Sequence, residues 1–137
     1  NKIYEVNKDS FINLKLLLEL DLSSNLLNDL HYDTFKSLSK LEILNISFNY
    51  LKHINLNLMT ELNSLIKLDL SHNQIAHIDE YSFKNLNLLE ELFIQSNLNL
   101  TKIQSNLTFY GLKKIKNIFA SNELFHDFDN IVYLREA

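Results

Sequence analysis

The chain lacks cysteine and proline altogether, and Gly111 is its only glycine. Without cysteine there is no disulfide framework, no thiolate zinc site and no cysteine nucleophile. A single glycine also excludes the glycine-rich loops that cradle phosphates in dinucleotide-binding and P-loop proteins. The formal charge of −4 argues against a nucleic-acid partner, which needs a basic patch. No apolar run approaches the ~20 residues of a membrane-spanning helix, so we expect no membrane contact.

What the chain has in excess is leucine, which occurs 29 times, and asparagine, which occurs 19 times. Such a bias calls first for a search for internal repeats. Asparagine recurs every 24 residues, at Asn1, Asn25, Asn49, Asn73 and Asn97. The last four each end a frame Leu-x-x-Leu-x-Leu-x-x-Asn, in which isoleucine twice replaces the third leucine. The frame predicts one structural unit repeated along the chain.

The spacing within the frame predicts a short strand followed by a turn. Side chains two apart on a strand share a face, so the Leu-x-Leu pair points inward and the intervening residue points outward. One repeat cannot bury that face alone, so we expect neighbouring repeats to stack and form a parallel sheet. The asparagine amide can donate and accept hydrogen bonds in the turn. Phe11, Phe35, Met59 and Phe83 form a second column, which predicts a mainly aromatic spine on the convex side.

We therefore predict a single solenoid over residues 1–137. Its units are a partial repeat at 1–16, four repeats at 17–40, 41–64, 65–88 and 89–114, and an irregular repeat at 115–137. The register slips after Asn97, because Leu100 and Ile103 arrive one residue later than the frame predicts. No polar capping segment is visible at either end, although terminal repeats need one for solubility. We interpret the chain as part of a longer solenoid.

The frame, with its phenylalanine in the second half, resembles the extracellular or "typical" leucine-rich repeat of Toll-type receptor ectodomains and secreted insect immune proteins. The resemblance implies an α/β-type horseshoe solenoid, with a parallel β-sheet on the concave face and loops, short turns or short helices on the convex face. It also implies an extracellular, non-enzymatic protein-recognition module without cofactors, from an innate-immune or cell-surface receptor or a secreted immune factor. Its partner would be a protein ligand or co-receptor on the concave face or flank. Two alternatives stay open, namely architectural spacer repeats and a cytosolic leucine-rich repeat scaffold.

Ligands of this family usually bind the concave face, so the candidate binding residues are side chains that point outward there. They are Glu19, Asp21, Ile43, Asn45, Phe48, Lys67, Asp69, His72, Glu91 and Phe93. The repeat predicts that equivalent positions align in columns across the strands. Phe93 and Phe48 are the preferred anchors, because aromatic residues with polar surroundings are enriched at protein-binding surfaces. We expect Phe93 to support no core, and we expect no catalytic site, since no base–nucleophile–orienter set recurs.

Three sequons mark candidate glycosylation sites, and they begin at Asn45, Asn99 and Asn106. In a secreted protein such residues accept glycans on exposed backbone. In a chain so rich in asparagine, serine and threonine, sequons also arise by chance. We favour Asn99 and Asn106, which lie in the irregular region, over Asn45, which lies on a predicted strand.

Asp29, His53 and His77 share one repeat position, so they should stack one strand spacing apart. That spacing would bring them within range of a shared ion. The sequence shows no further group that would orient these side chains. We therefore interpret the column as solvated polar surface and predict no metal site.

Overall fold

The computed structural model describes residues 1–121 and Leu124, and this part of the chain winds as a solenoid. Its strands are β1 (Glu19–Asp21), β2 (Ile43–Asn45), β3 (His53–Ile54), β4 (Lys67–Asp69), β5 (His77–Ile78), β6 (Glu91–Phe93) and β7 (Asn117–Phe119). A 3₁₀ helix spans Asn106–Phe109. Of the predicted irregular repeat at 115–137, residues 122–123 and 125–137 lie outside the described residues.

One parallel sheet runs the length of the solenoid in the order β1-β2-β4-β6-β7. Its register aligns Leu20, Leu44, Leu68, Leu92 and Ile118 across successive strands. The three central members of this row are fully buried, because each strand turns its middle residue into the core. The predicted solenoid with a parallel sheet is confirmed. The rest of the described chain consists of turns, a second parallel sheet of β3 and β5, and the 3₁₀ helix, with no α-helix among the described residues.

The predicted aromatic spine fills the side of the core away from this sheet. Phe35, Met59 and Phe83 are fully buried, and the rings of Phe11 and Phe35 stack with centroids 6.3 Å apart. Burial of each such side chain stabilises the fold by roughly 1.5–3 kcal/mol. The spine continues to Phe109, whose ring lies 6.3 Å from that of Phe83. The frame did not assign Phe109, because the slipped repeat places it two residues late.

The repeated asparagines form the hydrogen-bonded ladder that the sequence predicts. Asn49 Oδ1 accepts from the backbone N–H of Leu27 in the preceding repeat, at 3.0 Å. Its Nδ2 donates to the carbonyls of Leu22 at 2.9 Å and of Ile46 and Ser47 at 3.2 Å. The side chains of Asn73 and Asn97 make equivalent bonds one and two repeats later; each amide therefore joins its own turn to the preceding one.

The slipped repeat closes around the only glycine. Gly111 has a φ of 99°, in the left-handed region that side chains with a Cβ rarely adopt. A Cβ at this position would lie 2.3 Å from the carbonyl oxygen of Lys84. Glycine is therefore required here for both its backbone angle and the close approach of the preceding repeat. Leu100 and Ile103 are buried despite arriving late, so the slip lengthens the loop without opening the core.

Candidate functional site

The main parallel sheet presents two outward columns of side chains, which we call the strand face. The first column is Glu19, Ile43, Lys67, Glu91 and Asn117. The second is Asp21, Asn45, Asp69, Phe93 and Phe119. Eight of the ten candidate binding residues thus align in columns as the repeat predicts, each column extends by one residue of β7, and Phe48 and His72 lie outside the columns.

One end of the strand face carries an aromatic patch formed by Phe93, Phe119 and Lys67. The rings of Phe93 and Phe119 stack with centroids 4.4 Å apart and planes 10° from parallel. Lys67 Nζ lies 5.0 Å from the centre of the Phe93 ring and 3.7 Å from a carboxylate oxygen of Glu91. Phe119 remains 42% exposed, so the patch offers an apolar surface bordered by opposite charges. Sequence reasoning missed Phe119, although it takes the Phe93 position in the next repeat.

A second aromatic pair lies where the strands turn away from the sheet. Phe48 and His72 stack with ring centroids 4.1 Å apart and planes 7° from parallel. Both residues precede a ladder asparagine and have positive φ angles, 54° and 53°. This left-handed turn directs Phe48 into solvent, where 55% of the residue is exposed. Strained backbone at a non-glycine residue costs free energy, which the ladder hydrogen bonds offset at the same turn.

The polar residues in the middle of the second column serve the turns. Asn45 Oδ1 accepts from the N–H of Ser47 at 3.0 Å and from its hydroxyl at 2.7 Å. Asp69 Oδ1 accepts from the N–H and hydroxyl of Ser71 at 2.9 and 2.6 Å. Both serines are buried. Oδ1 of Asn45 and Oδ1 of Asp69 therefore stabilise the turns, so a ligand could use mainly the other polar atom of each side chain.

Similar turn contacts engage Asp21 and Ser71, the carboxylate and the hydroxyl that a hydrolytic site on this face would use. The hydrogen bonds from the hydroxyl and N–H of Ser23 lower the pKa of Asp21, against a smaller opposing effect of burial. The hydroxyl of Ser71 donates to Asp69, whereas the neighbouring His72 stacks on Phe48. Ser71 and His72 therefore do not form a nucleophile–base pair.

The three sequon asparagines lie in different environments. Asn45 is half-buried on β2, and its side-chain oxygen is already hydrogen-bonded to Ser47. Asn99 is exposed in the loop after Asn97, and Asn106 is exposed at the first position of the 3₁₀ helix. The two residues in the irregular region are therefore the more accessible acceptors.

The predicted stacking of His53 on His77 is confirmed, and the pair also contacts Asp79, which the sequence did not assign to the column. His53 and His77 pair in register on β3 and β5, whereas Asp29 is part of neither strand and its Oδ1 accepts from the N–H of Leu30. Asp79 joins the pair instead, with Oδ1 2.7 Å from His53 Nε2 and 3.1 Å from His77 Nε2. The signal was available in the sequence, because Asp79 follows His77 by two residues.

Burial alone would raise the pKa of Asp79. The hydrogen bond from His53, the N–H of Leu56 and the charges of both histidines outweigh it, and they leave the pKa of Asp79 below its usual value. The carboxylate is therefore held in its charged form, facing the two imidazoles.

The leucine rich repeat family model matches the chain at residues 1–51, 19–75 and 40–98, which together exceed half its length. Two solved structures are similar. One is the TLR13–ssRNA13 complex, with a TM-score of 0.69 and 24% identity over 85% of this chain. The other is the Toll–Spatzle complex of Drosophila, with a TM-score of 0.68 and 26% identity over 86% of this chain.

The chain spans only 21% of the TLR13 chain and 16% of the Toll chain. No curated protein sequence matches it. Among the described residues, no helix is both long and apolar enough to cross a membrane. The predicted resemblance to Toll-type receptors is confirmed at the level of family and fold, and these are non-enzymatic recognition folds. The predicted absence of a nucleic-acid partner is at odds with one neighbour, since TLR13 was solved with single-stranded RNA.

Proposed function

The chain belongs to the leucine-rich repeat family, and from that premise we propose that it is a protein-recognition module of an extracellular ligand-binding ectodomain. The parent protein would be an innate-immune or cell-surface receptor, or a secreted immune factor. The protein ligand or co-receptor would contact the strand face, with the aromatic patch and Phe48 as its main anchors.

The aromatic patch carries this proposal. Solvated sheet surfaces are normally polar, yet Phe93 and Phe119 stand side by side in a column that otherwise holds Asp21, Asn45 and Asp69. Paired aromatic side chains with charged residues at their edge are typical of interface anchors, since they bury large area at small entropic cost. The parallel sheet holds them rigidly, so a partner meets a preorganised surface.

The charge of the strand face favours a protein over a nucleic acid. Its two columns carry the carboxylates of Glu19, Asp21, Asp69 and Glu91 against the single ammonium of Lys67. Phosphate backbones bind where Lys and Arg neutralise them, and an acidic surface repels them. We infer a partner with a neutral or basic contact surface. Because TLR13 was solved with RNA, single-stranded RNA belongs in the test.

The positions of the sequons support an extracellular setting in which the strand face stays open. Glycans on Asn99 and Asn106 would be attached to the loop after Asn97 and to the 3₁₀ helix, outside the two columns. A glycan on Asn45 would cover the centre of the strand face. We therefore propose that Asn99 and Asn106 are modified and that Asn45 is not, and mass spectrometry of the secreted chain tests this.

The alternative of architectural spacer repeats predicts a strand face without anchors. Spacer repeats need only the inward residues, so their outward columns should be uniformly polar. The stacking of Phe93 on Phe119 and the 55% exposure of Phe48 depart from that expectation. The cytosolic scaffold predicts unmodified sequons, which the same mass-spectrometric measurement distinguishes.

Binding is tested by immobilising the chain and capturing secreted proteins of its own organism. Each captured protein, and a single-stranded RNA oligonucleotide, is then titrated singly against the parent chain and its variants. We expect Phe93→Ala and Phe48→Ala to weaken protein binding at least about tenfold, the range of interface anchors. Tyr32→Ala is the matched control, because Tyr32 is similarly exposed but lies in the second half of its repeat. A loss confined to His77→Ala would move the site to the flank, and RNA binding alone would reject the proposal.

A further inference from the structure

We propose that His53, His77 and Asp79 form a binding site for a divalent transition-metal ion, with zinc as the expected occupant. Each side chain offers one ligand atom, and these atoms all lie within 4.8 Å of one another. The site joins two consecutive repeats at the sheet formed by β3 and β5. It is separate from the strand face and independent of the proposed function.

The backbone brings the two imidazoles together. His53 pairs directly with His77 in the parallel register of β3 and β5, so the side chains leave the sheet in the same direction. Their ring centroids are 5.3 Å apart, with the planes inclined at 41°. Both rings present Nε2 to the same oxygen of Asp79, at 2.7 and 3.1 Å. Three ligand atoms from three side chains thus converge on one point.

The carboxylate is oriented by groups outside the cluster. The N–H of Leu56 donates to Asp79 Oδ2 at 3.1 Å, which leaves Oδ1 facing the imidazoles. The N–H of Asp79 itself donates to the carbonyl of Ile54 at 3.1 Å, so its backbone is tied to β3. Such secondary hydrogen bonds fix metal ligands in their binding geometry. The sequence alone did not reveal these two backbone hydrogen bonds, which orient Asp79.

The distances and the types of ligand fit zinc. A tetrahedral ion with bonds of about 2.0–2.1 Å separates neighbouring ligand atoms by roughly 3.3 Å. The separations of 2.7 and 3.1 Å would therefore widen by about 0.6 and about 0.2 Å on binding. Imidazole favours zinc, copper and nickel, whereas magnesium and calcium prefer sites made of oxygen alone. Two histidines and one carboxylate leave the fourth position for water or for a side chain of a partner.

A purely hydrogen-bonded cluster differs from a metal site in the position of its protons. To donate to Asp79, His53 and His77 must carry their protons on Nε2. To bind an ion through Nε2, each neutral imidazole must carry its proton on Nδ1 instead. Nitrogen chemical shifts distinguish these two tautomers in the unaltered chain. The proposal therefore does not depend on variants alone.

The test is a titration of the 137-residue chain with zinc chloride, followed by calorimetry. We expect one ion per chain with a dissociation constant of about 10 µM or tighter. Zinc should also raise the melting temperature, since an ion that binds only the folded state stabilises it. His53→Ala, His77→Ala and Asp79→Asn should each weaken binding at least about tenfold. His31→Ala is the matched control, since His31 lies outside the cluster.

Nuclear magnetic resonance on the unaltered chain provides the second measurement. Zinc should change the nitrogen shifts of His53 and His77 to those of an Nδ1-protonated, metal-bound ring and leave His31 and His72 unchanged. Three outcomes would each overturn the proposal: absence of zinc binding, an affinity of the three cluster variants equal to that of the parent chain, or equal perturbation of His31, His53, His72 and His77. A response to magnesium or calcium equal to that to zinc would overturn the assignment of the ion.

Discussion

Removing one asparagine of the ladder has a cost that can be worked out from its hydrogen bonds. In Asn49→Ala the carbonyl of Leu22 keeps its bond from Asn25, and the carbonyl of Ile46 keeps its bond from Asn73. The N–H of Leu27 loses its only acceptor, Asn49 Oδ1, in a site where Asn49 is 5% exposed. One orphaned buried donor costs about 1–3 kcal/mol, so the free energy of unfolding should fall by that amount.

Denaturant and thermal unfolding of the parent chain and of Asn49→Ala measure this difference. Asn63→Ala is the matched control, because the side chain of Asn63 makes one exposed hydrogen bond and should change stability by less than about 0.5 kcal/mol. A second variant, Asn49→Asp, tests the donor side of the ladder. It keeps the acceptor for Leu27 but turns a carboxylate oxygen toward the carbonyls of Leu22 and Ile46. It should therefore be no more stable than the alanine variant at neutral pH. Parent-like unfolding of Asn49→Ala would refute the ladder.

Three further predictions concern stability. Phe93→Ala should lower the free energy of unfolding by roughly 0.5–1.5 kcal/mol, measured with denaturant, because it removes the stack on Phe119. Gly111→Ala should cost more than about 2 kcal/mol in the same assay, since its Cβ would clash with Lys84. The pKa of Asp79 lies below its usual 3.8, so its charged form stabilises the fold above that pH and the benefit fades as pH falls below it. With a chelator present, the melting-temperature difference between the parent and Asp79→Asn should therefore shrink on acidification below about pH 4.

The fold was predictable because the same frame of inward leucines and a turn asparagine recurs in register four times. Every stacked unit needs an inward Leu-x-Leu pair and a turn amide, so the period alone specified the sheet, the register and the ladder around Asn49 and Asn73. The prediction weakened where the period changes. The two extra residues before Phe109 hid the continuation of the spine, and the frame could not show that Gly111 is required by the backbone of Lys84.

The candidate site was less predictable, because it depends on contacts between positions that the period does not equate. The columns placed Phe93 correctly, but its stack on Phe119 was not foreseen. The expectation that Phe93 supports no core stays a prediction, and we add to it a small stabilising contribution from this surface stack. The same limit applies to the histidine column. Asp29 shares the repeat position of His53 yet is not a member of the cluster, whereas Asp79 stands two residues beyond that position in its repeat and completes the cluster.

Inward and outward residues have different roles within each repeat, and this difference explains why two separate sites can exist on so small a chain. The inward leucines and ladder asparagines carry the stability, so outward positions vary at little cost to folding. On the main sheet that freedom places Phe93 and Phe119 side by side, and on the β3–β5 sheet it places His53 beside His77. Parallel pairing brings equivalent positions of consecutive repeats into contact. Any function that needs two similar side chains in register is therefore reached by substitutions at one repeat position, which is how a uniform scaffold acquires a local site.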